Sequence, residues 1–274
     1  MSTPKGSGVK PVRVHHIREA KEHGERVTML TAYDLPTARI FDAAGIDMLL
    51  VGDSVGDNIL GHADTLPVTV DEMIPHVRAV SRGAQRALVV ADLPFGSYEA
   101  SPEQALATAI RMVKEGGANA VKFEGGERVV PQVRAITGAG IPVMGHLGFT
   151  PQSENILGGR RVQGRGPAAA ERLTKDAVAL QEAGAFAVVL EMMPAPVAAQ
   201  ITEVLSISTI GIGAGAACDG QVLVWLDMAG MGDWSPRFAK QYAQLGAALG
   251  AAAQEYVAEV KSGAFPAPEQ SYLQ

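Results

Sequence analysis

Three stretches of this chain run from an apolar core into a carboxylate and then into Gly, Ser or Pro. They are Met48-Leu49-Leu50-Val51-Gly52-Asp53-Ser54, Leu88-Val89-Val90-Ala91-Asp92-Leu93-Pro94 and Ala120-Val121-Lys122-Phe123-Glu124-Gly125-Gly126. A continuous apolar run of this length, bounded by turn residues, reads as a strand buried on both faces, with its acid where the strand leaves the core. Side chains alternate along a strand, so Lys122 and Glu124 share a face. Asp53, Asp92 and Glu124 supply hard oxygen ligands of the kind magnesium takes, and carboxylates at buried strand ends are costly unless paired or bound to a cation. Each acid taken singly could instead cap a helix or pair with Lys or Arg. Lys122 could balance the acids, bind a substrate carboxylate or form a Schiff base, and one lysine in a strand does not separate these roles. Phe186-Ala187-Val188-Val189-Leu190-Glu191 has no polar group before its final carboxylate, which makes Glu191 the candidate general base, with a salt bridge as the plainer alternative. His146, at the end of Pro142-Val143-Met144-Gly145-His146, is a candidate substrate contact or a hydrogen-bonded core histidine.

The elements that must position these residues follow one pattern. Helices end at Gly, and buried strands begin soon after: Gly45 before Met48, Gly117 before Ala120, Gly140 before Ile141, Gly184 before Phe186. Thr69-Val70-Asp71-Glu72 and Ser101-Pro102-Glu103-Gln104 carry helix-start signatures. Strands are expected at about 27–33, 48–53, 87–93, 120–125, 142–147, 186–192, 208–213 and 221–226. Eight parallel strands alternating with helices in this length define an α/β fold, a (β/α)₈ barrel. A doubly wound sheet is weaker, because no glycine-rich dinucleotide turn follows the first strand. An extra helix, Val14 to about Gly24, precedes the repeat and carries His15, His16 and His23; adjacent His15 and His16 point to different sides, which is poor metal geometry. Two connections, Ser54 to Thr69 and Phe149 to about Ala168, are long and lie at the end where the acids emerge, as lids or binding loops do. Gly211, Gly213 and Gly215 are expected on one side of a strand at 208–215, leaving either room for a ligand or tight packing. Pro236 to about Gly263 reads as closing helix.

The chain has 274 residues, 47% hydrophobic and 19% charged, enough for one barrel-sized domain at 12–263 between an N-terminal arm (1–11) and a C-terminal tail (264–274). A net charge of -6 without basic runs argues against nucleic acid. The single cysteine, Cys218, excludes an internal disulfide and a cysteine zinc cluster, and reads as a small core residue. No stretch approaches about 18 uncharged apolar residues, and the start lacks a secretory apolar core, so no membrane partner and a cytoplasmic location are expected.

Several motifs occur together in one order: Val51-Gly52-Asp53-Ser54; Gly61-His62 with Thr65-Leu66-Pro67-Val68-Thr69; Ala91-Asp92-Leu93-Pro94-Phe95; Val121-Lys122 with Glu124-Gly125-Gly126; Gly145-His146-Leu147-Gly148 with Thr150-Pro151-Gln152; Val162-Gln163-Gly164-Arg165-Gly166; and Gly211-Ile212-Gly213-Ala214-Gly215 with Asp219-Gly220-Gln221. From about Thr28 to Gly263 the chain closely resembles the ketopantoate hydroxymethyltransferase family. Phe149 and Met231-Gly232-Asp233-Trp234-Ser235 depart from the family pattern. The resemblance implies a barrel of the phosphoenolpyruvate/pyruvate type and homodecamers. It implies one Mg²⁺ per subunit, and 5,10-methylenetetrahydrofolate as the donor that turns 3-methyl-2-oxobutanoate into 2-dehydropantoate for pantothenate and coenzyme A. Carried over, Asp53, Asp92 and Glu124 would be metal ligands, Asp53, Ser54, Asp92 and Lys122 would contact the 2-oxo acid, and Glu191 would accept the proton. The rivals are another Mg²⁺-dependent lyase or mutase of 2-oxo acids on this barrel, a lysine-dependent aldolase, and a non-catalytic scaffold. The first often uses a cysteine on a mobile loop, and Cys218 lies in neither long connection.

Overall fold

Glycines in the left-handed region release the chain from several helices into strands, as Gly117 (φ 82°) and Gly184 (φ 101°) do. The computed structural model describes residues 10–272. Most of the expected N-terminal arm and the last two residues of the expected tail lie outside them. The chain forms two compact units, Met1–Leu223 and Val224–Gln274.

In the first unit, α1 (Val14–His23) leads into β1 (Val27–Thr31), α2 (Leu35–Ala43), β2 (Met48–Val51), α3 (Val70–Gly83), β3 (Leu88–Asp92), α4 (Pro102–Arg111), β4 (Ala120–Glu124), α5 (Val130–Gly138) and β5 (Val143–Gly148). The short α6 (Glu154–Leu157), α7 (Pro167–Glu182), β6 (Ala187–Glu191), α8 (Ala195–Val204), β7 (Ser208–Ile212) and β8 (Gly220–Leu223) follow. The eight strands are parallel and close into a barrel in sequence order, β8 pairing with β1. The expected strands are all present, one or two residues shorter at most ends. The Thr69 signature forms a reciprocal cap: Thr69 Oγ1 accepts from Glu72 N–H (3.2 Å) and Glu72 Oε2 accepts from Thr69 N–H (2.8 Å).

The extra helix α1 stands at the N-terminal end of the strands. Its Ile17 is buried, Ser208 Oγ donates to Ile17 O (2.9 Å), and Lys21 Nζ lies 2.8 Å from Asp219 Oδ2. Asp219 Oδ2 also accepts from Thr209 N–H (2.8 Å), which ties the start of β7 to the turn before β8.

The second unit holds α9 (Trp225–Ala229) and α10 (Leu245–Ser262). The closing helix therefore begins at Leu245 rather than Pro236. Residues 236–244 are held by backbone bonds instead: Ala239 N–H donates to Pro236 O (2.8 Å) and Tyr242 N–H to Met228 O (2.8 Å). No residue of α10 is buried.

Candidate active site at the C-terminal ends of strands 2 to 6

The parallel register brings the sequence candidates into a chain of contacts around half the rim. Asp92 stands opposite Lys122, Glu124 opposite His146, and Gly148 opposite Glu191. Asp53 lies two residues beyond β2, and its backbone N–H donates to Asp92 Oδ2 (3.1 Å). Lys122 Nζ is 2.8 Å from Asp92 Oδ1 and 3.4 Å from His146 Nδ1. His146 Nδ1 is 3.4 Å from Glu124 Oε1, and its Nε2 is 3.1 Å from Glu191 Oε2. Asp53, Asp92, Lys122, Glu124 and His146 are buried, whereas the Glu191 side chain keeps 16% exposure. Ser54 adjoins this group, but its hydroxyl is engaged by Tyr33 Oη at 2.8 Å.

Charge explains how these groups behave. Burial, followed by Asp92 and Glu124, holds the Asp53 carboxyl well above its usual range, against the pull of Lys122 and the Gln152 amide. Burial likewise raises Glu124, partly offset by His146 and Lys122. Burial alone would lower Lys122, but Asp92, Asp53 and Glu124 outweigh it, so the amine stays a charged ammonium. Burial and Lys122 push His146 down, yet Glu124 and Glu191 on its two nitrogens prevail and raise it to about 9. Four acids (Asp53, Asp92, Glu124, Glu191) thus face two basic side chains (Lys122, His146), and a buried surplus of hard oxygen donors is what a divalent cation binds.

Backbone geometry fixes the proposed base. Gly148 has φ +97°, and a Cβ placed there would lie 2.0 Å from the Glu191 carbonyl oxygen, so only glycine allows β5 to pass. Phe149 N–H donates to that same carbonyl (2.8 Å). Met192, next in the chain, adopts φ 45°, and its carbonyl accepts from Gln163 N–H (2.9 Å), which fastens the long connection after β5 to β6. The connection after β2 meets it where Arg160 lies 3.7 Å from Asp57.

Two residues had no role assigned from sequence. Gln152 is buried, with Nε2 donating to Asp53 Oδ2 (2.8 Å) and Leu93 O (3.0 Å), and its N–H donating to Glu124 Oε2 (3.0 Å). Tyr98, also buried, donates its O–H to Gln152 Oε1 (2.5 Å). The signal available was the Thr150-Pro151-Gln152 motif itself, a polar residue held in place after a proline at the start of a long connection.

Three expectations are revised or refined. Gly211, Gly213 and Gly215 do not share one strand face, because β7 ends at Ile212 and the last two glycines take left-handed conformations (φ 62° and 86°). Gly211 packs tightly, since a Cβ there would meet Cys218 Sγ at 2.9 Å, and Cys218 is a buried core residue as expected. Ligand atoms of His15, His16 and Glu19 lie within 4.8 Å of one another, closer than the adjacent histidines led one to expect. All three are exposed, and His16 Nδ1 is already used by Arg13 N–H (2.9 Å).

A closed parallel barrel with carboxylates, one ammonium and one histidine gathered at the strand C-termini defines a (β/α)₈-barrel enzyme. Its fold is shared with 2,3-dimethylmalate lyase, a PEP mutase/isocitrate lyase superfamily member, at a TM-score of 0.59 and 17% identity, covering 95% of this chain and 92% of the other. The chain belongs to the ketopantoate hydroxymethyltransferase family, whose pattern it matches over residues 11–268. It is 64% identical to the 3-methyl-2-oxobutanoate hydroxymethyltransferase of Saccharopolyspora erythraea over 262 residues, 95% of this chain and 89% of that protein. With the enzyme of the same name from Mycobacterium tuberculosis it shares 60% identity over 273 residues, 99% of this chain and 97% of the other.

Proposed function

We propose that this enzyme, a 3-methyl-2-oxobutanoate hydroxymethyltransferase of pantothenate biosynthesis, takes the C3 proton of its 2-oxo acid with Glu191. It then adds the one-carbon unit of 5,10-methylenetetrahydrofolate, giving 2-dehydropantoate and tetrahydrofolate. The observation that carries this reading is the position of Glu191: it ends an apolar strand, is the most open acid of the group, and has one oxygen 3.1 Å from His146 Nε2. Asp53, Asp92 and Glu124 would hold Mg²⁺, and their surplus of buried negative charge fits such a cation. Bound there, Mg²⁺ would supply charge stabilisation as the 2-oxo acid becomes electron-rich. Lys122, fixed as an ammonium, attracts the substrate carboxylate and is a poor imine-forming nucleophile, which favours this reading over a lysine aldolase. His146 bridges Glu124 and Glu191 and steadies the base, while Asp53, Ser54 and Asp92 complete the substrate contacts. Glu191 holds the abstracted proton as C3 takes the folate's methylene carbon; water then gives its hydroxyl to that carbon, and the two nitrogens that release it each gain a proton, one from water and one returned from Glu191, as tetrahydrofolate leaves.

The catalytic domain would span 12–263, in the cytoplasm; no described helix is long and apolar enough to cross a membrane. The family resemblance implies a homodecamer, and α10, an 18-residue helix with no buried residue that exposes Leu245, Leu249, Tyr256, Val257 and Val260, offers an apolar face for self-association. Such an apolar helix gains its stability from packing, and a second copy of the chain supplies the partner. Sedimentation reads the assembly directly, and a monomer would count against it.

The deciding experiment is proton NMR of 3-methyl-2-oxobutanoate in D₂O with the enzyme, with and without Mg²⁺. Metal-dependent loss of the C3 proton signal, absent in Glu191→Gln, is the expected result. If exchange needs the folate as well, product should appear once methylenetetrahydrofolate is added; the absence of both exchange and product would overturn the reading.

A further inference from the structure

Gln152 is neutral and only 6% exposed, yet it touches two of the acids assigned to the cation. Its backbone N–H donates to Glu124 Oε2 (3.0 Å) and its Nε2 to Asp53 Oδ2 (2.8 Å), although Asp53 lies 99 residues away in sequence. The orientation of the amide is determined by its neighbours. Leu93 O, 3.0 Å from Nε2, can only accept, so the NH₂ faces Leu93 and Asp53 and the carbonyl faces Tyr98. Tyr98 must then donate its O–H to Gln152 Oε1, and its oxygen is left to accept from Glu124 N–H (3.3 Å). The polarity of the whole chain is thus fixed. Asp53 comes from beyond β2 and Glu124 from β4, with β3 between them, and Gln152 spans that gap with one main-chain and one side-chain bond.

We propose that Gln152 is a positioning residue that sets the spacing and free oxygens of Asp53 and Glu124 for a divalent cation, with Tyr98 locking its amide. The assignment rests on the reading of Asp53, Asp92 and Glu124 as the cation's ligands. A residue that merely anchored the connection after β5 would affect folding and leave cation affinity alone.

Mn²⁺ titration followed by electron paramagnetic resonance, with thermal melts in the absence of cation, separates these roles. Gln152→Met keeps the volume and removes the donors of the side chain; it should weaken Mn²⁺ binding about ten- to a hundredfold, as loss of a partner to a metal ligand does. Tyr98→Phe removes the donor that holds Gln152 Oε1, loosening the amide that Leu93 O still orients, and should weaken binding roughly two- to tenfold, the worth of one hydrogen bond. Should Gln152→Met fail to fold, Tyr98→Phe decides. Parental affinity in the folded variants, with Asp53→Asn abolishing binding, overturns this assignment and leaves the cation reading intact. A parent enzyme that binds no Mn²⁺ overturns both.

Discussion

Two Lys–Asp pairs of the same length, 2.8 Å, stand at opposite ends of the barrel: Lys122 with Asp92 at the C-terminal rim and Lys21 with Asp219 at the N-terminal end. At the N-terminal end the accounts of charge and hydrogen bonding close. One acid meets one ammonium, Lys21 Nζ also donates to Thr202 O (3.0 Å), and the same Asp219 oxygen receives Thr209 N–H and Thr209 O–H (3.1 Å). At the rim they do not, because Asp53, Glu124 and Glu191 add acidic oxygen donors that Lys122 and His146 do not fully match. A polar cluster built for stability is matched within the chain, whereas one built for chemistry is left to be matched by what binds.

Substitutions should separate the two ends. The largest effect is expected for Glu191→Gln, which should lower turnover and C3 proton exchange about 10³-fold while the melting temperature stays near that of the parent. Near-parental exchange would remove Glu191 as the base. Lys122→Met should raise KM for the 2-oxo acid on the order of 10²-fold, in keeping with loss of one member of a buried charged pair. Borohydride treatment of the parent with substrate should leave Lys122 unmodified by mass spectrometry; a trapped adduct would return the site to Schiff-base chemistry.

The remaining predictions concern stability and have opposite signs. Asp219→Asn should destabilise by about 2 kcal/mol in urea unfolding, since it weakens charge-assisted bonds, with kcat unchanged. Asp53→Asn, compared with the parent free of divalent cations, should be equally stable or stabilised by about 1 kcal/mol, although inactive. The sign follows from the raised pKa of Asp53: the folded form holds its proton more tightly than the unfolded chain, so the carboxyl costs stability as pH rises through its folded pKa. A clear loss of stability in Asp53→Asn would show that the rim is matched after all. Adding Mg²⁺ should raise the parent's melting temperature and leave that of Asp53→Asn in place.

That the acids and the proposed base would gather at one rim was legible in the sequence because they obey short-range rules. Asp92, Glu124 and Glu191 end apolar runs, and eight apolar runs separated by helices, several of them closed by glycine, admit few other closures. Gln152 and Tyr98 obey no such rule. Each sits in a connection without periodicity, and their significance comes from bonds to Asp53 and Glu124 that only the closed barrel creates. The glycines after β7 misled for the related reason that composition does not say where a strand stops. The helix expected from Pro236 starts later because backbone bonds claim the intervening residues first.

Gly148, finally, bears on how this enzyme can change over time. A Cβ at 148 would sit on the carbonyl of Glu191, and every amino acid reached from a glycine codon by a single base change carries that atom. The register that holds the proposed base is therefore closed to stepwise mutation at this residue. In a saturation library selected for growth without pantothenate, the column for residue 148 should contain glycine alone.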